Sequence, residues 1–464
     1  MRHLSKLSYV LMRERKQVRF LLFSGILLGV LVGIIGSLFQ LSILWFSGLR
    51  DYFLGLFGGS ELWQWPASII FTTVLIVSSI LIVKRFAPEA AGSGVQEIEG
   101  VLVDKRTLRW HRVLPVKFIA GSLSLSSGLV LGREGPTIHL GSAIGKMLSR
   151  RFLFKSEHNH ILIAAGAAAG LATAFNAPLS GIFFVVEEMH SQFKYSFKSL
   201  QCVIVTAVVS VVVLRIFMGQ APDLPMTHFT APPLTSLWIF LVFGAVFGIM
   251  GVIFNKYLIV FLDFYNRFKG YRYWIVIIIL GIVIGILSKA YPYVVGGGYY
   301  VIPQALTYRV STLALFFIFI VRMGTTWASY GAGTPGGIFA PMLALGSVFG
   351  MWFGYYANLW FPSMIYEPGV FAVAGMTALF TATVGAPLTG IILVVEMTMN
   401  YALIVPLIFT CFSATMISYL LGGNPIYETL LERTLRLEQK KVKETLKNAE
   451  KANDKLCAEI KTES

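Results

Sequence analysis

Charge is scarce in this sequence. Only 13% of its 464 residues are Asp, Glu, Lys or Arg, about half the ~25% of a soluble domain. Hydrophobic residues make up 56%, and the mean hydropathy is +0.72. A water-soluble enzyme of this size would expose too much apolar area, so the chain reads as a polytopic membrane protein in contact with a lipid bilayer. Acidic charge is scarcest, with 23 Asp and Glu against 38 Lys and Arg and a net charge of +15. The basic residues stand in loops and tails between apolar runs. That placement suits anchoring at a cytoplasmic membrane face, and no nucleic-acid partner is expected. Cys202, Cys411 and Cys457 are too scattered for a metal site or a disulfide framework, and no metal or other cofactor is expected. No H-E-x-x-H, Walker A or G-x-S-x-G pattern occurs, so an intramembrane enzyme, a remote alternative, has no chemistry to rest on.

Long apolar runs are what the chain does have. They occupy roughly 20–47, 66–84, 199–218, 236–264, 274–291 and 401–421, each long enough for a core of about 30 Å crossed by about 20 helical residues. A basic stretch (Arg2, Lys6, Arg13, Arg15, Lys16, Arg19) precedes the first, which is too long for a signal-peptide core and reads as a retained span. Two further stretches, 118–145 and 160–187, are rich in Gly, Ser, Ala and Pro. Basic residues flank them: Lys105, Arg106, Arg109, Arg112 and Lys117 before, Lys146, Arg150, Arg151 and Lys155 between, Lys194 and Lys198 after. The positive-inside rule puts all three flanks on one side. Each stretch as a helix spans about 42 Å against about 60 Å for two crossings. Short, broken helices meeting partway through the membrane are therefore expected.

The second half repeats the first. Gly29, Gly33, Gly36 and Phe39 recur as Gly244, Gly248, Gly251 and Phe254. Gly132, Pro136, Leu140, Gly141, Ser142 and Gly145 recur as Gly337, Pro341, Leu345, Gly346, Ser347 and Gly350. The run 177–182, with Val185, Val186 and Glu187, recurs as 386–391 with Val394, Val395 and Glu396, and Lys117 has a basic counterpart in Arg322. No Lys or Arg stands between 323 and 432, and the 219–235 linker carries Asp223 but no basic residue. Three spans from the inside deliver the chain outside at that linker, so the second half starts outside and is inverted. The expected fold is an all-α polytopic membrane protein with an antiparallel (inverted) internal repeat and many tilted, broken and partly spanning helices. Its parts are a basic cytoplasmic N-terminus (1–19), the first membrane repeat (20–218), an extracytoplasmic linker (219–235), the second, inverted repeat (236–426) and a charged cytoplasmic tail (427–464). A substrate site belongs at the repeat interface.

Three glycine-rich segments open helical patterns: Gly92-Ser93-Gly94, Gly132-Arg133-Glu134-Gly135-Pro136 and Gly336-Gly337-Ile338-Phe339-Ala340-Pro341. The Pro-containing copies lie in inverted halves, so their helix starts can converge and aim N–H groups and positive dipole ends at one volume. Such a volume favours an anion. Alternatively the glycines serve close helix packing, Ser93 is a helix N-cap, Tyr427 is an interfacial aromatic and Glu134 forms a surface ion pair with Arg133. An intramembrane carboxylate is costly and usually functional. Lys117 and Arg133 either raise the local positive potential or, for Lys117, anchor the interface. His139 reads as a packing residue, and Glu187, recurring as Glu396, as structural. Glu188 aligns with Met397, so the repeat does not demand it.

These residues resemble the CLC family of chloride channels and proton-coupled chloride exchangers, most nearly the bacterial H+/Cl− exchange transporters. The likeness runs over about 20–430 and rests on Gly92-Ser93-Gly94-Val95-Gln96, Gly132-Arg133-Glu134-Gly135-Pro136, Gly337-Ile338-Phe339-Ala340-Pro341, the Ala-Pro-Leu repeats and Asn424-Pro425-Ile426-Tyr427. The sequence departs at Gln96, where the family pattern has Pro. The resemblance implies that Ser93 offers a hydroxyl, Ile338 and Phe339 backbone N–H groups, and Tyr427 a phenol to chloride. It implies that Glu134 gates, competing with chloride when ionised and carrying a proton when neutral, and that Glu188 is the inner proton-transfer acid. The implied activity is secondary exchange of chloride for protons across a bacterial inner membrane, by a homodimer with one pathway per subunit and both termini cytoplasmic. A passive chloride channel of the same fold is the alternative, with Glu188 the discriminator. The tail reads as a solvated helix fraying into disorder, too short for the paired nucleotide-sensing domains of many eukaryotic relatives.

Overall fold

A computed structural model describes the chain except for residues 1, 58–60, 153–155, 190–195, 225, 227, 307–309 and 463–464, with backbone alone for 2–17, 156–157 and 449–462. Lys155 and Lys194 lie outside the described residues, as do the side chains of Arg2, Lys6, Arg13, Arg15 and Lys16. The first half runs through α1 (Arg2–Gly55), α2 (Glu61–Phe86), α3 (Val95–Leu102), α4 (Trp110–Ser126), α5 (Glu134–Arg151), α6 (Ser156–Phe175), α7 (Pro178–Glu187) and α8 (Phe197–Met218). The second half repeats this order in α9 (Leu237–Arg267), α10 (Tyr271–Ala290), α11 (Val301–Leu306), α12 (Thr312–Gly331), α13 (Phe339–Trp360), α14 (Gly369–Val384), α15 (Pro387–Thr398) and α16 (Ile404–Leu420). A last helix, α17 (Ile426–Thr462), follows, and no strand forms among the described residues.

Among the described residues seven helices are long and apolar enough to cross a membrane, and six of them match the apolar runs read from the sequence. The seventh, α12, is absent from those runs because Arg322, Thr325, Thr326 and Ser329 interrupt its hydropathy. The structure buries Arg322 completely, its guanidinium donating to the carbonyls of Tyr293 (3.1 Å), Val295 (3.0 Å) and Gly296 (2.6 Å). A second difference concerns the tail. It does not fray but continues as α17 to Thr462, because opposite charges one turn apart, such as Glu432–Arg436 and Lys440–Glu444, support an exposed helix.

Both glycine-rich stretches are broken. The first is interrupted between α4 and α5 by Gly128 with φ +90°, the second between α6 and α7 by Asn176 with φ 54° followed by Pro178 at the first helical position. Irregular backbone at membrane depth must find partners in protein, and here each half supplies the other. Gly132 and Gly337 exchange both N–H···O bonds at 2.8 Å. Gly296 donates to Gly128 (2.9 Å), Val130 to the Ser329 hydroxyl (3.0 Å), Gly92 to Thr334 and Gly336 to Gly92 (3.1 Å each). Equivalent residues pairing with each other define a local two-fold relation between the halves.

The repeated glycines do matching work. Gly29 and Gly33 seat α1 on α8, and Gly244 and Gly248 seat α9 on α16. Gly141 and Gly166 put the backbones of α5 and α6 in contact, as Gly346 and Gly375 do for α13 and α14. Large apolar side chains such as Phe23, Trp45, Ile216 and Phe317 stay exposed on the spans, the face a lipid solvent covers. A Cβ at Gly346 would overlap the Gly375 carbonyl, whereas one at Gly324 meets open space. Gly346→Ala should therefore cost about 1–3 kcal/mol, read as a lowered unfolding temperature in detergent. Gly324→Ala should instead stabilise α12 by about 0.5–1 kcal/mol. Equal unfolding temperatures for the two variants would contradict this packing.

Candidate anion and proton site

The Gly132–Gly337 exchange sets the start of α5 beside the start of α13. Gly135 lies directly against Ser93, and Gly337 against Gly135, so the start of α3 joins them. Gly92 and Gly94 take φ +62° and +97°, and a side chain at Gly94 would collide with the buried His139 ring. Pro136 and Pro341 each stand third in their helices, where a missing N–H breaks no intrahelical bond. The glycines therefore allow close packing and gather helix starts in one act. Gln96 stands second in α3, a position where Pro and Gln alike leave the helix start intact.

Ser93 is completely buried, yet it does not cap α3: the N-cap is Gly94, with no side-chain capping bond. Tyr427 is likewise fully buried rather than interfacial, and its ring stacks on Phe339 with centroids 5.8 Å apart. The two hydroxyls are neighbours, and neither has a hydrogen-bond partner among the described residues. Buried hydroxyls without partners are uncommon in folded proteins and call for an explanation. Ile338 is the N-cap of α13 and Phe339 its first residue, so N–H groups without intrahelical partners open this helix.

Glu134 is wholly buried at the first position of α5. Its Oε1 accepts from the Tyr299 hydroxyl at 2.8 Å, and its Oε2 accepts from the Ala340 N–H at 3.4 Å. The carboxylate thus reaches across to the first turn of α13. Arg133 forms no ion pair with it. Instead the guanidinium binds Asp223 (2.5 Å) and the Ala174 carbonyl (3.1 Å) and lies 4.4 Å from the Tyr299 ring centre. Lys117 is buried and donates to the carbonyls of Ala90 (3.0 Å) and Gly92 (2.7 Å). It holds the loop that presents Ser93 rather than facing the membrane surface.

A family model described as "Voltage gated chloride channel" matches residues 73–419. The chain belongs to this family. It is 48% identical over 419 residues to the H(+)/Cl(-) exchange transporter ClcA of Vibrio parahaemolyticus, covering 89% of this chain and 90% of that one. It is 43% identical over 443 residues to the H(+)/Cl(-) exchange transporter ClcA of Salmonella typhimurium, covering 95% and 94%. The crystal structure of a slow cyanobacterial Cl-/H+ antiporter superposes with a TM-score of 0.87 at 40% identity, over 90% of this chain and 98% of that one.

In this voltage gated chloride channel family member the two repeated glutamates take reciprocal positions. Glu187 accepts from the N–H groups of Leu388 (2.9 Å) and Thr389 (2.6 Å) and from the Thr389 hydroxyl (2.7 Å). Glu396 accepts from Leu179 (3.1 Å), Ser180 (2.8 Å) and the Ser180 hydroxyl (2.6 Å). Each caps the helix of the other half, α15 and α7. Glu188 follows as the C-cap of α7, half-buried, with Glu99 and Glu428 as its acidic neighbours; Tyr427 is near it as well. No direct hydrogen bond joins it to Glu134.

Two contributors escape the sequence reading. Tyr299 stands two residues before α11 as Ser93 stands two before α3; the Gly296-Gly297-Gly298 run ahead of it was the available signal. Asp223, read only as a marker of the linker, pairs with Arg133 across the fold. Among the described residues no cluster could hold a metal ion.

Replacing Glu187 by Gln turns one acceptor into an NH2 group facing N–H donors. Glu187→Gln should cost about 1–3 kcal/mol, measured as a fall in unfolding temperature, while the surviving protein still couples protons to its anion. Loss of coupling without loss of stability would reassign Glu187 to proton transfer.

Proposed function

We propose that this protein is a secondary active antiporter exchanging chloride for protons, a transporter rather than an enzyme, driven by gradients with no cofactor. Its relatives carry that activity in their names, and one observation supports it chemically: an ionisable carboxylate, Glu134, reaches the first turn of α13 and accepts from the Ala340 N–H there at 3.4 Å. An ionised carboxylate there is an anion mimic, stabilised by N–H donors and the helix dipole. It and chloride compete for one place. Protonation removes the charge, the side chain leaves the first turn of α13, and chloride can take its place beside the N–H groups there.

In this reading chloride is held by the Ser93 hydroxyl, the backbone N–H groups of Ile338 and Phe339, and the Tyr427 phenol. The unpartnered, buried hydroxyls of Ser93 and Tyr427 support it. Glu188 takes up the proton on the cytoplasmic side, supported by its half-buried position at the end of α7. Lys117 and Arg133 supply positive potential without standing in the path, and the Lys117 bonds to the Ser93 loop fit that role. The motif residues Gly92, Gly94, Gly132, Gly135, Pro136, Gly337 and Pro341 shape the meeting point. All these groups belong to one chain, which supports one pathway per subunit; a homodimer follows from the family likeness. The basic loops of the first half support an inner-membrane protein with both termini cytoplasmic, repeats at 20–218 and 236–426, and the 219–235 linker outside.

The test is flux from reconstituted vesicles. Loaded with chloride and given a chloride gradient, wild-type vesicles should drive protons uphill. Glu134→Gln should bring proton movement down to that of protein-free vesicles, and Glu188→Gln should do the same while chloride still passes. Wild-type chloride flux without proton flux would establish a passive channel instead.

A further inference from the structure

Beyond the transport site, a groove of 710 Å³ opens between the end of α2 and the start of α4, lined by Ile82, Arg85 and Phe86 from one helix and by Arg112, Pro115 and Ile119 from the other. The helices meet there with their basic ends together. On α2, Ile82, Arg85 and Phe86 share a face at spacings of three and four; on α4, Arg112, Pro115 and Ile119 do so at three and seven. On α4 the arginine stands at the shallow end with Ile119 about 10 Å below it along the helix, and on α2 Ile82 lies one turn deeper than Arg85, with Phe86 beside the arginine at the helix end. Phe86 and Ile119 are 59% and 50% exposed. Neither the Arg85 nor the Arg112 guanidinium has a hydrogen-bond or ion-pair partner among the described residues, although neighbouring Arg109 is paired with Glu89 at 2.9 Å. His111 adds a further nitrogen donor, and among the described residues no carboxylate lines the groove.

We propose that this groove binds one anionic glycerophospholipid, its phosphate held between Arg85 and Arg112 beside Phe86, and an acyl chain lying along Ile82 and Ile119. Two planar guanidinium forks suit a phosphate, each able to donate in pairs. The apolar walls continue in the direction that an acyl chain takes from its headgroup. Charge complementarity selects an anionic headgroup over a zwitterionic one, and the apolar floor selects a lipid over a free phosphate. The site abuts the proposed anion machinery: Pro88–Ala90 follows one residue after Phe86, and Lys117 of α4 holds the carbonyls of Ala90 and Gly92.

Full-length protein purified in a non-ionic detergent and stripped of lipid can be titrated with phosphatidylglycerol and phosphatidylcholine, with bound lipid counted by native mass spectrometry. Wild type should bind phosphatidylglycerol more tightly. Arg85→Ala with Arg112→Ala should weaken phosphatidylglycerol about twentyfold and leave phosphatidylcholine unchanged. Arg150→Ala with Arg151→Ala removes the same charge from the exposed end of α5 and should bind as wild type. An equal loss in that control would overturn the location, and equal affinity for the two lipids would overturn the headgroup. Displacement of phosphatidylglycerol by equimolar inorganic phosphate would overturn the role of the acyl chain.

Discussion

Everything central to this molecule depends on one pair of hydrogen bonds, the exchange between Gly132 and Gly337. Broken helices free N–H and carbonyl groups at a depth where water is absent, and each such group costs several kcal/mol if left alone. The chain resolves this by breaking the same element in both halves and letting each break satisfy the other. The absence of a side chain at Gly135 and Gly337, which lie against each other, lets the two helix starts approach closely enough for that exchange. Glu187 and Glu396 extend the same logic at α7 and α15, each capping the start of its counterpart's helix. Lys117 and Arg322 extend it again, as buried cations spent on carbonyls of the turns ahead of α3 and α11.

That arrangement has a chemical product. Once the breaks are pinned together, the helix starts surround a small volume with N–H groups and partial positive charge, without placing a mobile cation there. The basic side chains nearby are already committed to carbonyls and to Asp223. An acidic side chain at the first position of α5 then finds its natural acceptor place at α13, held from the other side by Tyr299. In the proposed exchange, a protein carboxylate and a free anion compete because both seek N–H groups in the first turn of α13.

The outer surface obeys a second solvent. Exposed Phe, Ile, Leu and Trp side chains face lipid tails at no cost, and the exposed Arg85 and Arg112 at the facing ends of α2 and α4 are the groups we propose to meet a lipid headgroup. The loop that carries Ser93 is attached to both of those helices. The anion site and the lipid boundary thus share one short piece of backbone.

Much of this was legible in the residues themselves, because a bilayer imposes strong and simple constraints. Apolar length marked six spans, charge asymmetry marked the inversion, and ordered recurrence of glycines and prolines marked the duplicated breaks. Where a buried charge was satisfied by distant carbonyls, hydropathy misled: α12 was hidden by Arg322, whose partners Tyr293, Val295 and Gly296 lie 26 to 29 residues away. Interleaved charge in the tail suggested fraying where one-turn pairing sustains a helix to Thr462. By itself the sequence determined the membrane class, the repeat and the segments that carry chemistry, since periodicity, charge and glycine placement are local properties. Only the tertiary structure decided which donors each group meets: Tyr299 and α13 for Glu134, Asp223 for Arg133, the opposite half for Glu187 and Glu396. Those choices depend on contacts across the two-fold relation, and sequence distance carries no trace of them.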